Sequence, residues 1–421
     1  MNRTWSSNAA GACVAAGMLA LCGAVASAGE ITWFTIQTWT GDTKARWAHE
    51  LAEFTAQTGI KVNVIHNTDK SYGGKALTMI AAGESPDVML LRGQREFPEF
   101  GSLDLMTDLS GYLKASSLPL TDYAPPMLDG LKWAGRQIAV PFDATFYLGM
   151  VKLNELAQAG LTPPGLDWTW ADLQAMAKKL TQKGADGKVS RYGAFIPDWA
   201  YEEMVLSAGI PALKEDHTWN WNQPDVIEML NFWRDLFTTD PVADPNGDFF
   251  GGNVAMAVDG TWDIPFQKPK FDWDVDTMPR WRDFKHGSEL IVEGLGIPKA
   301  AKNPDDAFRF IEWYNSRARA DEELKAGVIN TSLVPDRRIL LQNLAELGQV
   351  APHLADVYTW TFTNGFQLPR PSWYIGDDNY WNISYLDDAL SSQSSIANAM
   401  QQMEQKVNAL TASGAGWRDG S

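Results

Sequence analysis

Residues Gln137–Lys152 read QIAVPFDATFYLGMVK, an aromatic and β-branched run that joins two segments, each with an α/β pattern. Upstream, Ile31 to Ile36 reads as a strand. A helix from about Thr43 to Thr58 follows, with Trp47, Leu51 and Phe54 at helical spacing and Gly59 just past its end. Ile60 to Ile65 is a second strand, Tyr72 to Ala82 a second helix, and Asp87 to Leu91 a short apolar third strand. This β-α-β-α-β order predicts a mostly parallel sheet with right-handed crossovers, whose ligand loops lie beyond the strands' carboxyl ends. Those loops are Trp39 to Asp42 and Arg92 to Arg95.

Downstream the alternation resumes. Thr169 and Asp172 form a T-x-x-D start ahead of Leu173, Met176, Ala177 and Leu180. Tyr192 to Ile196 reads as a strand opening into a loop from Pro197 to Tyr201. Pro224 begins a helix carrying Ile227, Leu230, Trp233 and Phe237. Asn253 to Val258 is a strand leading into Asp259-Gly260-Thr261-Trp262-Asp263. Ile291 to Gly296 precedes a helix expected to be capped by Asn303, and a helical pair runs to about Leu410.

The first 28 residues read as an export leader: Arg3 is the basic start, Ala12 to Val25 an apolar run, and Ala26-Ser27-Ala28 the cleavage pattern. The run is too short to span a bilayer. Leu19-Ala20-Leu21-Cys22 echoes a lipid-anchor box, but Leu21 is bulky where a small residue belongs. Cys13 and Cys22 both lie in the leader, so the exported chain is expected to lack disulfides and thiolate metal sites. The chain has 35 basic and 52 acidic residues, a formal charge of −17, and no basic stripe. Nucleic acid and anionic membranes are therefore poor partners. Nineteen tryptophans admit two accounts, core packing or stacking on sugar rings.

Five passages resemble one family, the extracellular solute-binding proteins of carbohydrate ABC transporters, the group that includes maltose-binding protein. They are FTAQTGIKV at 54–62, GESPDV at 83–88, GRQIAVPFDATFY at 135–147, GNVAMAVDGTW at 252–262 and NPDDAFRFI at 303–311. The resemblance spans nearly all of the exported chain. Lys152 departs from it, standing where many members have Asn.

The resemblance implies an α/β fold of two lobes, each a mostly parallel sheet flanked by helices, joined by three hinge crossings. The lobes would be 29–142 with 290–335, and 143–289 with 336–421. The crossings would be the opening stretch, Ser288 to Glu293, and Asn330 to Pro335. It further implies a periplasmic monomer that holds a sugar in the inter-lobe cleft and delivers it to a membrane permease, without cofactor, metal or catalysis.

Carried over residue by residue, the implied ligand contacts are Trp39 and Asp42 after the first strand and Arg92 and Gln94 after the third. Asp143 and Thr145 flank the crossing, and Trp199 and Tyr201 follow a second-lobe strand. Trp262 and Asp263 end the most diagnostic motif, and Glu293 and Gly294 lie at the second crossing. Trp373 closes the cleft, with Trp381 as a rival, and Arg370 would pair with an anionic sugar substituent, a surface salt bridge being its bland reading. Bland readings stand beside these: a packed aromatic for Trp39, a helix cap for Asp42, a solvated pair for Arg92 and Gln94, and a turn residue for Asp143. The alternatives are a polyol, polyamine or glycerol-phosphate ligand, or a secreted carbohydrate-active enzyme. Against an enzyme, the five histidines are isolated and no G-x-S-x-G elbow occurs. Asp244 to Asp248 echoes a calcium loop but lacks its Gly and terminal Glu.

Overall fold

A computed structural model describes residues 29–36, 41–67, 71–93, 96–262, 264, 269–285, 287–325, 333, 351–367, 384–391 and 394–413. Ten strands build two five-stranded sheets. The first contains β1 (Glu30–Thr35), β2 (Lys61–His66), β3 (Val88–Arg92), β4 (Val140–Thr145) and β10 (Ile291–Gly296), in the order β2-β1-β3-β10-β4. The second contains β5 (Tyr147–Lys152), β6 (Ala194–Phe195), β7 (Ala243–Asp244), β8 (Met256–Gly260) and β9 (Trp273–Thr277), in the order β7-β6-β8-β5-β9.

Each sheet carries one reversed strand. β10 runs antiparallel to β3 and β4, and β5 antiparallel to β8 and β9. Both are strands that enter from the other sheet. A chain leaving the first sheet at its carboxyl edge meets the second at the facing edge, so it runs against strands that end there. Between β4 and β5 lies a single residue, Phe146. Its N–H donates to Thr261 Oγ1 at 3.3 Å, and Thr261 N–H donates to its carbonyl at 3.0 Å. The next N–H, on Tyr147, donates to Ser288 Oγ at 3.2 Å. The Phe146 ring packs edge-on against Tyr358 at 4.8 Å, so helix Leu354–Asn364 sits beneath the crossing.

Local signals placed most elements. Thr169 and Asp172 make the reciprocal capping box, Pro224 opens helix Pro224–Asp235, and Gly59 takes φ +75° past helix Gly41–Thr58. Two expectations are corrected. Tyr201 does not belong to a loop; it opens helix Tyr201–Ser207. Asn303 makes no side-chain cap on helix Pro304–Tyr314. Instead, Asp87 Oδ1 accepts the N–H groups of Lys302 and Asn303, both at 2.9 Å. The carboxylate therefore comes from the strand β3 turn, where its negative charge suits the helix N-terminus.

The tryptophan load is largely a packing matter. Trp33, Trp47, Trp170, Trp219, Trp221, Trp233 and Trp273 are among the largest fully buried side chains. Trp33 and Trp47 meet at 5.0 Å, and Phe142 stacks on Tyr314 at 4.8 Å, in one aromatic core beneath the first sheet.

Candidate functional site

β4 of the first sheet and β5 of the second meet at Phe146, with Asp143, Thr145 and Glu293 on the first-sheet side and Trp262 on the second-sheet side. Asp143 lies in β4 directly opposite Glu293 in β10, where the ladder shifts register between Glu293 and Gly294. Asp143 Oδ1 is buried and has no hydrogen-bond partner. Burial, then the charges of Glu293 and Glu323, push its carboxyl well above the ordinary 3.8. Thr145, 8% exposed, ends β4 opposite Ile291.

The native state thus holds the Asp143 proton more tightly than the unfolded chain does. Between pH 3.8 and the raised folded value, stability falls as pH rises. Asp143→Asn is expected to flatten that fall and to raise stability at neutral pH. Urea denaturation over a pH series measures both, and identical profiles for the two proteins would contradict the assignment.

Across Phe146, Trp262 follows β8 and is half-buried. Its ring stands edge-to-face with Tyr147 at 5.2 Å and 89°. Gly260 provides the seat: a Cβ there would fall 1.9 Å from Trp262 Cζ3. The Tyr147 hydroxyl is pushed well above its ordinary value by burial, then by Glu203, Asp259, Glu202 and Glu289. The sequence stretch already sets Tyr147 beside the crossing, but it gives no sign of these four acids. Tyr147 and the acids come from four separate segments, and no local spacing links them. The DGTW motif and the crossing itself were the only pointers to this corner.

Several assignments change in character. Arg92 is no solvated residue: its Nε donates to Glu96 Oε2 at 2.8 Å and its Nη2 to Glu96 Oε1, with Glu96 1% exposed. Its guanidinium also lies 5.7 Å from the Tyr72 ring. That fork is already engaged on one carboxylate. Gly294 is buried in the ladder between Leu91 and Pro141. A Cβ there would meet Leu131 Cδ1 at 2.7 Å, so its need for glycine is packing. Tyr201 is 4% exposed and turns an edge to Trp233 at 6.4 Å, a core contact. Asp42 falls inside the first turn of helix Gly41–Thr58 rather than at its cap, and Trp199 falls in the turn Asp198–Ala200. Trp39, Gln94, Asp263, Arg370, Trp373 and Trp381 lie outside the described residues.

The arrangement suits recognition of hydroxyls. Carboxylates accept hydrogen bonds from them, and an indole plane offers a face for C–H groups. Asp244 and Asp248, the calcium-loop echo, accept backbone N–H groups of Asn246 and Gly251 at 2.9 and 2.7 Å. Among the described residues no three His, Cys, Asp or Glu side chains converge as a metal site.

The family model of the bacterial extracellular solute-binding proteins matches residues 40–320, more than half of the chain. This chain is a member of that family. No curated protein matches it in sequence. Solved structures share the two-lobed fold of this solute-binding protein. The ABC substrate-binding protein Lmo0181 from Listeria monocytogenes, in complex with cycloalternan, has TM-score 0.77 at 22% identity, over 92% of this chain and 100% of that one. Maltose-bound MalE3 of T. maritima has TM-score 0.74 at 21% identity, over 91% and 100%. UgpB from Mycobacterium tuberculosis, in complex with glycerophosphocholine, has TM-score 0.76 at 18% identity, over 92% and 100%. None of the described helices of this solute-binding protein is long and apolar enough to cross a membrane.

Proposed function

We infer that this solute-binding protein captures a carbohydrate between its lobes in the periplasm and presents it to an ABC permease. The observation that carries this reading is the Trp262 plane, seated on Gly260 against Tyr147, with carboxylates from both sheets around the crossing. An aromatic face with flanking acceptors matches a sugar ring, which has C–H faces and donating hydroxyls at its rim. The named ligands of two structural relatives, cycloalternan and maltose, support the same class.

The lobes would be 29–145 with 290–335 and 147–289 with 336–421, the sequence-based boundary after 142 moving to Phe146 because Asp143–Thr145 pair within the first sheet. The leader 1–28 would be cleaved on export, and the monomer would act without nucleic acid, cofactor or turnover. Ligand would drive closure by binding the closed form more tightly. Asp42, Arg92, Asp143, Thr145, Trp199, Tyr201, Trp262, Glu293 and Gly294 are proposed as the site's described positions. For Tyr201 and Gly294 the role is support.

A second reading follows from the acids around Tyr147. They also suit a cationic head group, and one structural relative is described with glycerophosphocholine.

Thermal-shift measurement against neutral glycosides, polyols, polyamines and glycerophosphocholine tests both readings. A glycoside at 100 times its Kd is expected to add about 2.7 kcal/mol of stability. A shift with polyamine or glycerophosphocholine alone would replace the carbohydrate assignment. Hydrolysis of any glycoside by the pure protein would overturn the transport-only role.

A further inference from the structure

The second lobe holds a cavity of about 460 Å³ whose walls include no first-sheet residue. Helix Pro224–Asp235 turns Val226, Met229, Leu230 and Trp233 into the core. A second stripe, Glu228, Asn231, Phe232 and Asp235, faces the cavity instead. An apolar ring in that otherwise polar stripe is the first sign of a built surface. Phe232 packs edge-on against Trp281 at 5.2 Å to form the floor. Trp281 is 6% exposed, and its indole N–H is buried without an acceptor.

Arg282 stands at the rim. Its backbone lies at φ +47°, a left-handed conformation that a long side chain rarely takes. Its guanidinium lies 5.1 Å from the Trp281 ring centroid and pairs with Glu228. Both partners of that pair are about half exposed, at 54% and 49%, so the contact is readily exchanged. Strain held at a cavity rim is the kind that local packing maintains for a binding role.

The lining selects the ligand. Glu228 and Asp235 accept hydrogen bonds and disfavour an anion. Arg282 donates and disfavours a simple cation. A wholly apolar ligand would strip water from these groups and leave them unpaired. A neutral ring with hydroxyls on its rim and C–H groups on its face satisfies all three conditions. We propose that the Phe232–Trp281 cavity is a second, auxiliary binding site for a monosaccharide or short glycoside, separate from the inter-lobe cleft. The floor takes the ring face, Glu228 and Asp235 accept from hydroxyls, and Arg282 swings from Glu228 to donate. The site stands on its own walls and does not depend on what the cleft binds.

Calorimetric titration of the full chain with maltose and with methyl α-glucoside tests it, using Trp262→Ala to weaken the cleft. The Trp262→Ala protein is expected to retain binding at one site per chain, and adding Glu228→Gln or Phe232→Ala should weaken that binding at least tenfold. Circular dichroism confirms that each variant is folded, and Glu228→Gln, at an exposed position, guards against loss of fold. Absence of residual binding in Trp262→Ala would overturn the proposal, as would residual binding that neither second change affects. Failure of the cleft reading looks different: Trp262→Ala would leave every binding event unchanged while Glu228→Gln abolished one.

Discussion

Replacing Trp262 by alanine is expected to weaken carbohydrate binding about 30-fold, equivalent to about 2 kcal/mol, while leaving the protein folded. The ring is half-buried at the end of β8, and its described ring partner is Tyr147, edge-on at 5.2 Å. Truncation therefore removes a half-buried plane at the margin of the second-lobe core and not one of its fully buried side chains. Gly260→Ala supplies a stricter version of the test. Its methyl would fall 1.9 Å from Trp262 Cζ3, so the ring must turn off its seat while its chemistry stays intact. A loss of about tenfold in that variant would assign the effect to the ring's orientation. Equilibrium titration with the best glycoside from the thermal panel measures both. Unchanged affinity in Trp262→Ala would remove the indole from the site. Loss in Trp262→Ala with none in Gly260→Ala would remove the seat alone.

Arg319→Ala is expected to cost about 3–5 kcal/mol of stability at neutral pH. Arg319 is 6% exposed in helix Arg317–Lys325. Its Nη2 lies 2.6 Å from Glu50 Oε1 and 3.3 Å from Glu323 Oε1. Arg46 shares both carboxylates at 3.1 and 3.5 Å, and Tyr314 O–H donates to Glu323 Oε1 at 2.9 Å. Without Arg319, two buried carboxylates share the single half-buried guanidinium of Arg46. Burial already pushes Glu323 above the ordinary carboxylate value, with Glu50 adding to the rise and Arg319 opposing it. Removing Arg319 raises it further, so the variant's folded state takes up protons more readily. The deficit should therefore shrink as pH falls through the carboxylate range. Denaturant unfolding at neutral and acid pH checks both parts. A deficit under about 1 kcal/mol at neutral pH, the range of an exposed pair, would show that water reaches the network.

These two residues illustrate how differently sites announce themselves. Trp262 ends an eleven-residue pattern, GNVAMAVDGTW, in which spacing and residue type are both informative. Arg319 sits in RARADEELK, where nothing local separates it from Arg317. Yet Arg317 pairs with Asp122, 32% and 37% exposed, while Arg319 is enclosed. Arg92 was legible as a residue at the carboxyl end of a strand. That its fork is engaged by Glu96, one helical turn onward, depended on helix Glu96–Ser102, which the reading of the sequence did not anticipate.

Family resemblance pointed to a crossing within Gln137–Lys152, and the sequence by itself determined the α/β class and the alternation of elements on either side of it. These follow from periodicity, capping and turn residues, interactions among neighbours a few positions apart. The tertiary structure decided the rest. It sent most of the tryptophans named above into cores and set Asp143 against Glu293 across an antiparallel ladder. It also ringed Tyr147 with acids from positions 202, 203, 259 and 289. Long-range pairing and burial are properties of the assembled sheets. Asp143 gains its neighbour Glu293 only when segments more than a hundred residues apart meet at the crossing.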